Sequence, residues 1–123
     1  MYRLSMALLI VAGLIHLLPL PGLAGAAQLS RLYGVAVDDP NLAILLRHRA
    51  LLFGLLGLLL IAAAFKAEWR NLAYAAGLAS TIGFLVVAAT SGDYNPAIGR
   101  VVAADVVAIV CLLLAWIVDR WAR

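Results

Sequence analysis

The chain has 123 residues, 67% of them hydrophobic, against about 45–50% for a typical soluble domain. With a mean hydropathy of +1.10, this excludes a water-soluble globule and points to one integral membrane domain, residues 1–123. The net charge of +3 comes without any basic run interleaved with aromatics. Nucleic-acid binding is therefore excluded, and the basic excess is read as setting membrane topology.

The first expected span covers residues 4–20, after Arg3. Its N-terminal charge, apolar run and the small residues of Leu23-Ala24-Gly25-Ala26-Ala27 also resemble a cleavable signal peptide. The apolar run is long for a signal and is interrupted by His16, so it is read as a span. Pro19 and Pro21 end it, since each removes a backbone donor. Residues Ala26 to Tyr33 are expected to form a short interfacial helix, with Leu29 and Leu32 on its apolar side and Gln28 and Arg31 toward water. Gly34 stops that helix.

Asp39-Pro40 is a helix start: aspartate caps free amides, and proline suits the first helical position. The second span runs over residues 41–65 and carries Arg47-His48-Arg49 two turns in. Lys66, Glu68 and Arg70 mark the turn out of the membrane. The third span covers residues 72–90, with Ala73, Gly77, Ser80 and Gly83 forming a small-residue stripe suited to close helix packing. Gly92 ends it, and Asn95-Pro96 starts the fourth span, residues 97–118, in the manner of Asp39-Pro40. The lone cysteine, Cys111, lies in an apolar run of this span. It excludes an intrachain disulfide, a CxxC pair and a cysteine zinc site, and no metal site is expected.

The expected architecture is an all-α, four-helix transmembrane bundle with a short helix in the first outer loop. Both termini and the 66–70 turn share one side, which holds Arg3, Lys66, Arg70, Arg120 and Arg123. The opposite loops hold Arg31 with Asp38, Asp39 and Asp93. The positive-inside bias then places both termini in the cytoplasm.

Ionisable residues inside a membrane bundle are functional candidates by default. Arg49 lies nine positions after Pro40, and Asp105 nine positions after Pro96, so each sits roughly 13 Å along its helix at ~1.5 Å per residue. His16, near the outer end of the first span, shares that level, and Arg47, Arg100 and Asn95 lie close to it. The simplest chemistry is an ion pair of Asp105 with Arg49 or Arg47. Residues 47, 48 and 49 are 100° apart, so one arginine is expected to point outward while Arg49 and His48, or Arg47 with one of them, point inward.

Three functions fit this constellation. The leading one is a site for a small amphipathic or lipidic molecule. There Asp105 would act as general acid or base and His16 or His48 as proton relay. Arg47, Arg49, Arg100 and Asn95 would bind the ligand. Its chemistry would be isomerisation, epoxide opening or simple sequestration. The alternative is a structural or accessory subunit, self-associated or packed on a larger membrane partner, whose Arg–Asp pair only locks the helices. The third is a b-type haem carrier using His16 and His48 as axial ligands. Compact four-span exporters dimerise around an acidic residue in their first helix; the first span has His16 and no carboxylate, so that reading fails at its key position.

The segments Leu32-Tyr33-Gly34-Val35, Asp39-Pro40-Asn41, Leu46-Arg47-His48-Arg49-Ala50-Leu51-Leu52-Phe53-Gly54-Leu55-Leu56-Gly57, Gly92-Asp93-Tyr94-Asn95 and Arg100-Val101-Val102-Ala103-Ala104-Asp105 resemble those of a small bacterial four-span membrane family. Some of its members carry the label phosphopantetheine adenylyltransferase. The resemblance covers nearly the whole chain and implies the four-span fold. The soluble enzyme of that label is an α/β protein with a phosphate loop, and this sequence has neither that loop nor alternating strands and helices. The resemblance therefore implies the fold and no activity.

Overall fold

In a computed structural model, which describes residues 2–122, the two Asx-Pro signals start the two longest helices. The Asp39 side chain accepts the Asn41 amide at 2.9 Å and starts α3; Asn95 accepts the Ile98 amide at 2.8 Å and starts α5. The helices in chain order are α1 (Tyr2–Leu17), α2 (Ala26–Tyr33), α3 (Pro40–Phe65), α4 (Arg70–Ser91) and α5 (Pro96–Trp121), with single 3-10 turns at Leu20–Ala24 and Ala67–Trp69. Four segments are long and apolar enough to cross a membrane: Tyr2–Ala24, Pro40–Phe65, Ala67–Ser91 and Pro96–Trp121. The chain is thus an all-α, multi-pass membrane protein. Its lateral surface is a belt of exposed leucine, isoleucine and valine on all four long helices, as expected where the solvent is lipid.

Around the bundle the long helices neighbour one another in the order α1, α3, α4, α5, each antiparallel to the next. Their common core is made of Leu9, Leu60 and Leu112 set among alanines 12, 63, 64, 73 and 115. A close backbone approach joins α1 to α3. A Cβ on Gly13 would stand 2.9 Å from the Gly57 carbonyl oxygen, and one on Gly57 would stand 2.7 Å from that of Gly13. The expected small-residue stripe on α4 packs only in part. Ala73 is buried, and a Cβ on Gly77 would meet Leu112 at 2.9 Å, but Gly83 faces open space.

The end carrying both termini, here called proximal, is tied together by Arg70. The sequence reading placed this residue in the turn leading out of the membrane; the structure buries it. Its Nε and Nη2 donate to the carbonyls of Ala63 and Ala64 at 3.1 and 3.0 Å, capping the free end of α3. Its Nη1 donates to Ser5 Oγ at 2.6 Å and to Asp119 Oδ1 at 2.8 Å, while Tyr74 donates its hydroxyl hydrogen to Asp119 Oδ2. The Tyr2 ring lies 4.3 Å from the guanidinium carbon. One arginine thereby joins α1, α3, α4 and α5.

At the opposite, distal end the chain leaving α1 turns back along α3. Leu20 lies over Gly54, and Gly22 sits under Leu29 of α2. The short helix forms over Ala26–Tyr33 as expected, ended by Gly34 in the left-handed conformation (φ 64°). Leu29, Tyr33 and Val37 form a second apolar cluster with Leu32, Ala43, Leu46, Ile98 and Val101. α2 is thus a cap seated on α3 and α5.

Candidate functional site

Beneath that cap is a cavity of about 170 Å³, lined from α1 by Ile15 and His16, from α2 by Leu32 and Tyr33, from α3 by Arg49 and Phe53, and from α5 by Arg100, Val101, Ala104 and Asp105. A cavity of about 150 Å³ accepts a molecule the size of benzene, so this one suits a small head group rather than a whole lipid.

The depth count from Pro40 and Pro96 brings Arg49 and Asp105 to one cavity, but the expected ion pair is not made. Among the described residues the salt bridge within 4.0 Å is Arg70–Asp119, at the other end of the bundle. Arg49 Nη1 donates instead to the Tyr33 hydroxyl. Its guanidinium carbon lies 4.4 Å from the Phe53 ring centre, 5.2 Å from that of Tyr33 and 5.4 Å from that of Phe84. Each aromatic face attracts the cation, and together with the Tyr33 oxygen they hold it away from the carboxylate. Phe53 stands one helical turn after Arg49, the spacing at which side chains on one helix meet.

Asp105 is 5% exposed and its Oδ2 is buried with no hydrogen-bond partner. His16 is 1% exposed. Its Nδ1 lies 2.8 Å from the Ala12 carbonyl oxygen, and its Nε2 is likewise buried without a partner. The His16 ring tilts against Phe53, with centres 5.8 Å apart. Phe53 thus touches both the imidazole and the Arg49 guanidinium. Buried polar groups in proteins are nearly always hydrogen-bonded, and exceptions concentrate where a ligand, water or ion belongs.

Of the other candidate residues, Arg47, His48 and Asn95 lie outside this cavity. Arg47 is exposed and donates from Nε to the Leu23 carbonyl at 3.0 Å, pinning the 3-10 turn to α3. It is the outward arginine of the pair. His48 is exposed and does not reach the cavity under the cap; it lines a shallow groove between α3 and α4 with Leu45, Leu52, Leu56 and Ser80, whose wall Arg49 and Phe53 share with that cavity. The 100° step between consecutive helical residues turns it away from the cavity that holds His16 and Asp105. His16 and His48 therefore line separate cavities, and the two axial ligands of a b-type haem are not brought together. Asn95 is committed to structure: its oxygen caps α5, and its Nδ2 donates to the carbonyls of Tyr33 and Gly34 at 2.8 and 3.2 Å. Arg100 is exposed and stands at the cavity rim.

Tyr33, Phe53 and the Arg70 cluster were not singled out from sequence. The depth count that linked Arg49 to Asp105 also links Ser5, Arg70 and Asp119, if applied from the proximal end. No protein-family model, curated protein or solved structure matches the chain. The functional reading therefore rests on the geometry of the cavity.

Proposed function

We propose that this is a bacterial inner-membrane protein, with both termini cytoplasmic, that binds a small amphipathic or lipidic molecule in the cavity of its distal half. Arg49 takes an anionic group of the ligand and Arg100 meets it at the rim. Asp105 and His16 supply the polar contacts and the proton-transferring groups for any reaction there. The observation that carries this reading is the pair of buried, unpartnered atoms, His16 Nε2 and Asp105 Oδ2, in the wall of one cavity beside a guanidinium. Leaving such atoms unmatched costs roughly 1–3 kcal/mol each, a cost that a ligand's own polar atoms offset.

The alternative of an Arg–Asp pair that only locks the helices is served elsewhere, by Arg70 and Asp119. Arg49 and Asp105 make no such bond. The orientation rests on Arg3, Lys66 and Arg120 at the proximal end.

The test is native mass spectrometry of the gently extracted protein beside Asp105→Asn and Arg49→Gln. The wild type is expected to keep a bound small molecule or lipid that both variants lose at unchanged folded yield. Variants that keep the same adduct, or that lose it only because they fail to fold, would support the structural alternative.

A further inference from the structure

The hydrogen-bonding roles in the cavity define its occupant more closely. A carbonyl oxygen only accepts, so the 2.8 Å contact to Ala12 places the proton of the neutral His16 ring on Nδ1. Nε2 then carries a lone pair. It is an acceptor, it is buried, and among the described residues no group donates to it. Asp105 Oδ2 is also without a donor, and a carboxylate offers only acceptors. On this side the site calls for a hydrogen-bond donor.

The other side of the cavity has the opposite demand. Of the five N–H groups of a guanidinium, Arg49 commits one to Tyr33, and no carboxylate lies within 4.0 Å of it among the described residues. Arg100 adds a second positive charge at the rim. Two guanidinium charges against the single carboxylate of Asp105 leave a net positive charge for an anion to balance. Ile15, Leu32 and Val101 complete an apolar wall.

From these demands, and building on the binding role proposed above, we infer that the occupant is an anionic amphiphile whose head group also carries a hydroxyl, which donates to His16 Nε2 or Asp105 Oδ2 while Arg49 binds the anion. A charge alone would leave both acceptors unmatched, and a neutral polyol would leave the guanidinium unmatched. The cavity takes the head group, and the chain extends from it toward the surrounding lipid.

Three single-chain probes separate these demands, each added to the purified full chain in detergent and followed by native mass spectrometry. They are 1-oleoyl lysophosphatidic acid, which has phosphate and hydroxyl; its 2-deoxy analogue, which keeps the phosphate alone; and 1-oleoylglycerol, which has hydroxyls and no charge. The wild type is expected to favour the first over each of the others by about tenfold or more, the scale of one lost hydrogen bond to a buried group. Either His16→Phe or Asp105→Leu should remove much of the preference over the deoxy analogue and retain the preference over the glycerol. Arg49→Gln should do the reverse. Equal binding of the first two probes by the wild type overturns the inference without recourse to any variant. A cavity-filled variant, Ala104→Leu, distinguishes the two levels. If it blocks all three probes but the wild type shows no preference, the binding role stands and the hydroxyl-anion inference falls. If it binds them as the wild type does, the binding role falls as well.

Discussion

Arg49 and Arg70 are two guanidiniums inside an apolar bundle, and the protein satisfies them differently. Arg70 has its N–H groups taken by two helix-end carbonyls, a serine and a carboxylate. Arg49 rests on aromatic faces and one tyrosine hydroxyl. Breaking a buried ion pair by removing one partner costs about 3–5 kcal/mol, whereas a cation–π contact contributes roughly 0.5–2 kcal/mol. Thermal unfolding in detergent should therefore show a much larger loss for Asp119→Ala than for Arg49→Gln. Equal losses would mean that Arg49 is a second structural lock. The Arg47-His48-Arg49 anomaly was plain in the sequence because charge in an apolar helix is costly. Which member turns inward was not, because that depends on Phe53, Phe84 and Tyr33, the last two from other helices. Arg70 was hidden for the opposite reason: next to Lys66 and Glu68 it reads as part of a solvated turn.

At the scale of the helix, the caps were the most legible feature. Asp39, Asn95 and Gly34 act through neighbours in sequence; the first two start helices and Gly34 ends one, as expected. Helix contacts were less legible. The small-residue spacing on α4 drew attention, yet a backbone-to-backbone approach joins Gly13 of α1 to Gly57 of α3, where Ala50, Gly54 and Gly57 repeat the same spacing unremarked in a leucine-rich run. Gly57→Ala would force a methyl group against the Gly13 carbonyl oxygen, with 2.7 Å available, and should lower stability by about 1–3 kcal/mol. Gly83→Ala meets nothing within 4 Å and removes a flexible residue from a helix interior. It should be neutral or stabilising by up to about 1 kcal/mol. Comparing the two unfolding midpoints checks the α1–α3 contact, and a harmless Gly57→Ala would argue against it.

Across the whole molecule the two ends differ in kind. The proximal end is closed by the Arg70 clasp. The distal end is built around a cavity whose wall contains two unpartnered polar atoms. The four-helix bundle followed from hydropathy and the Asx-Pro starts. The shared level of Arg49 and Asp105 followed from counting residues on two parallel helices. Their separation into cavity groups rather than a bonded pair did not, since it arises from the α2 cap and its Tyr33. The proposed orientation predicts that reporter fusions at either terminus report the cytoplasm, while one in the 92–95 loop reports the far side. An exported C-terminus would reverse that assignment.

The binding role of the distal cavity meets its most direct test in Ala104→Leu, which fills the cavity while leaving His16, Arg49 and Asp105 unsubstituted. Side by side with the wild type, extracted identically and weighed intact by native mass spectrometry, this variant should unfold at the same or a higher temperature and carry no retained small molecule or lipid. A variant that retains the same molecule at wild-type occupancy would contradict the account.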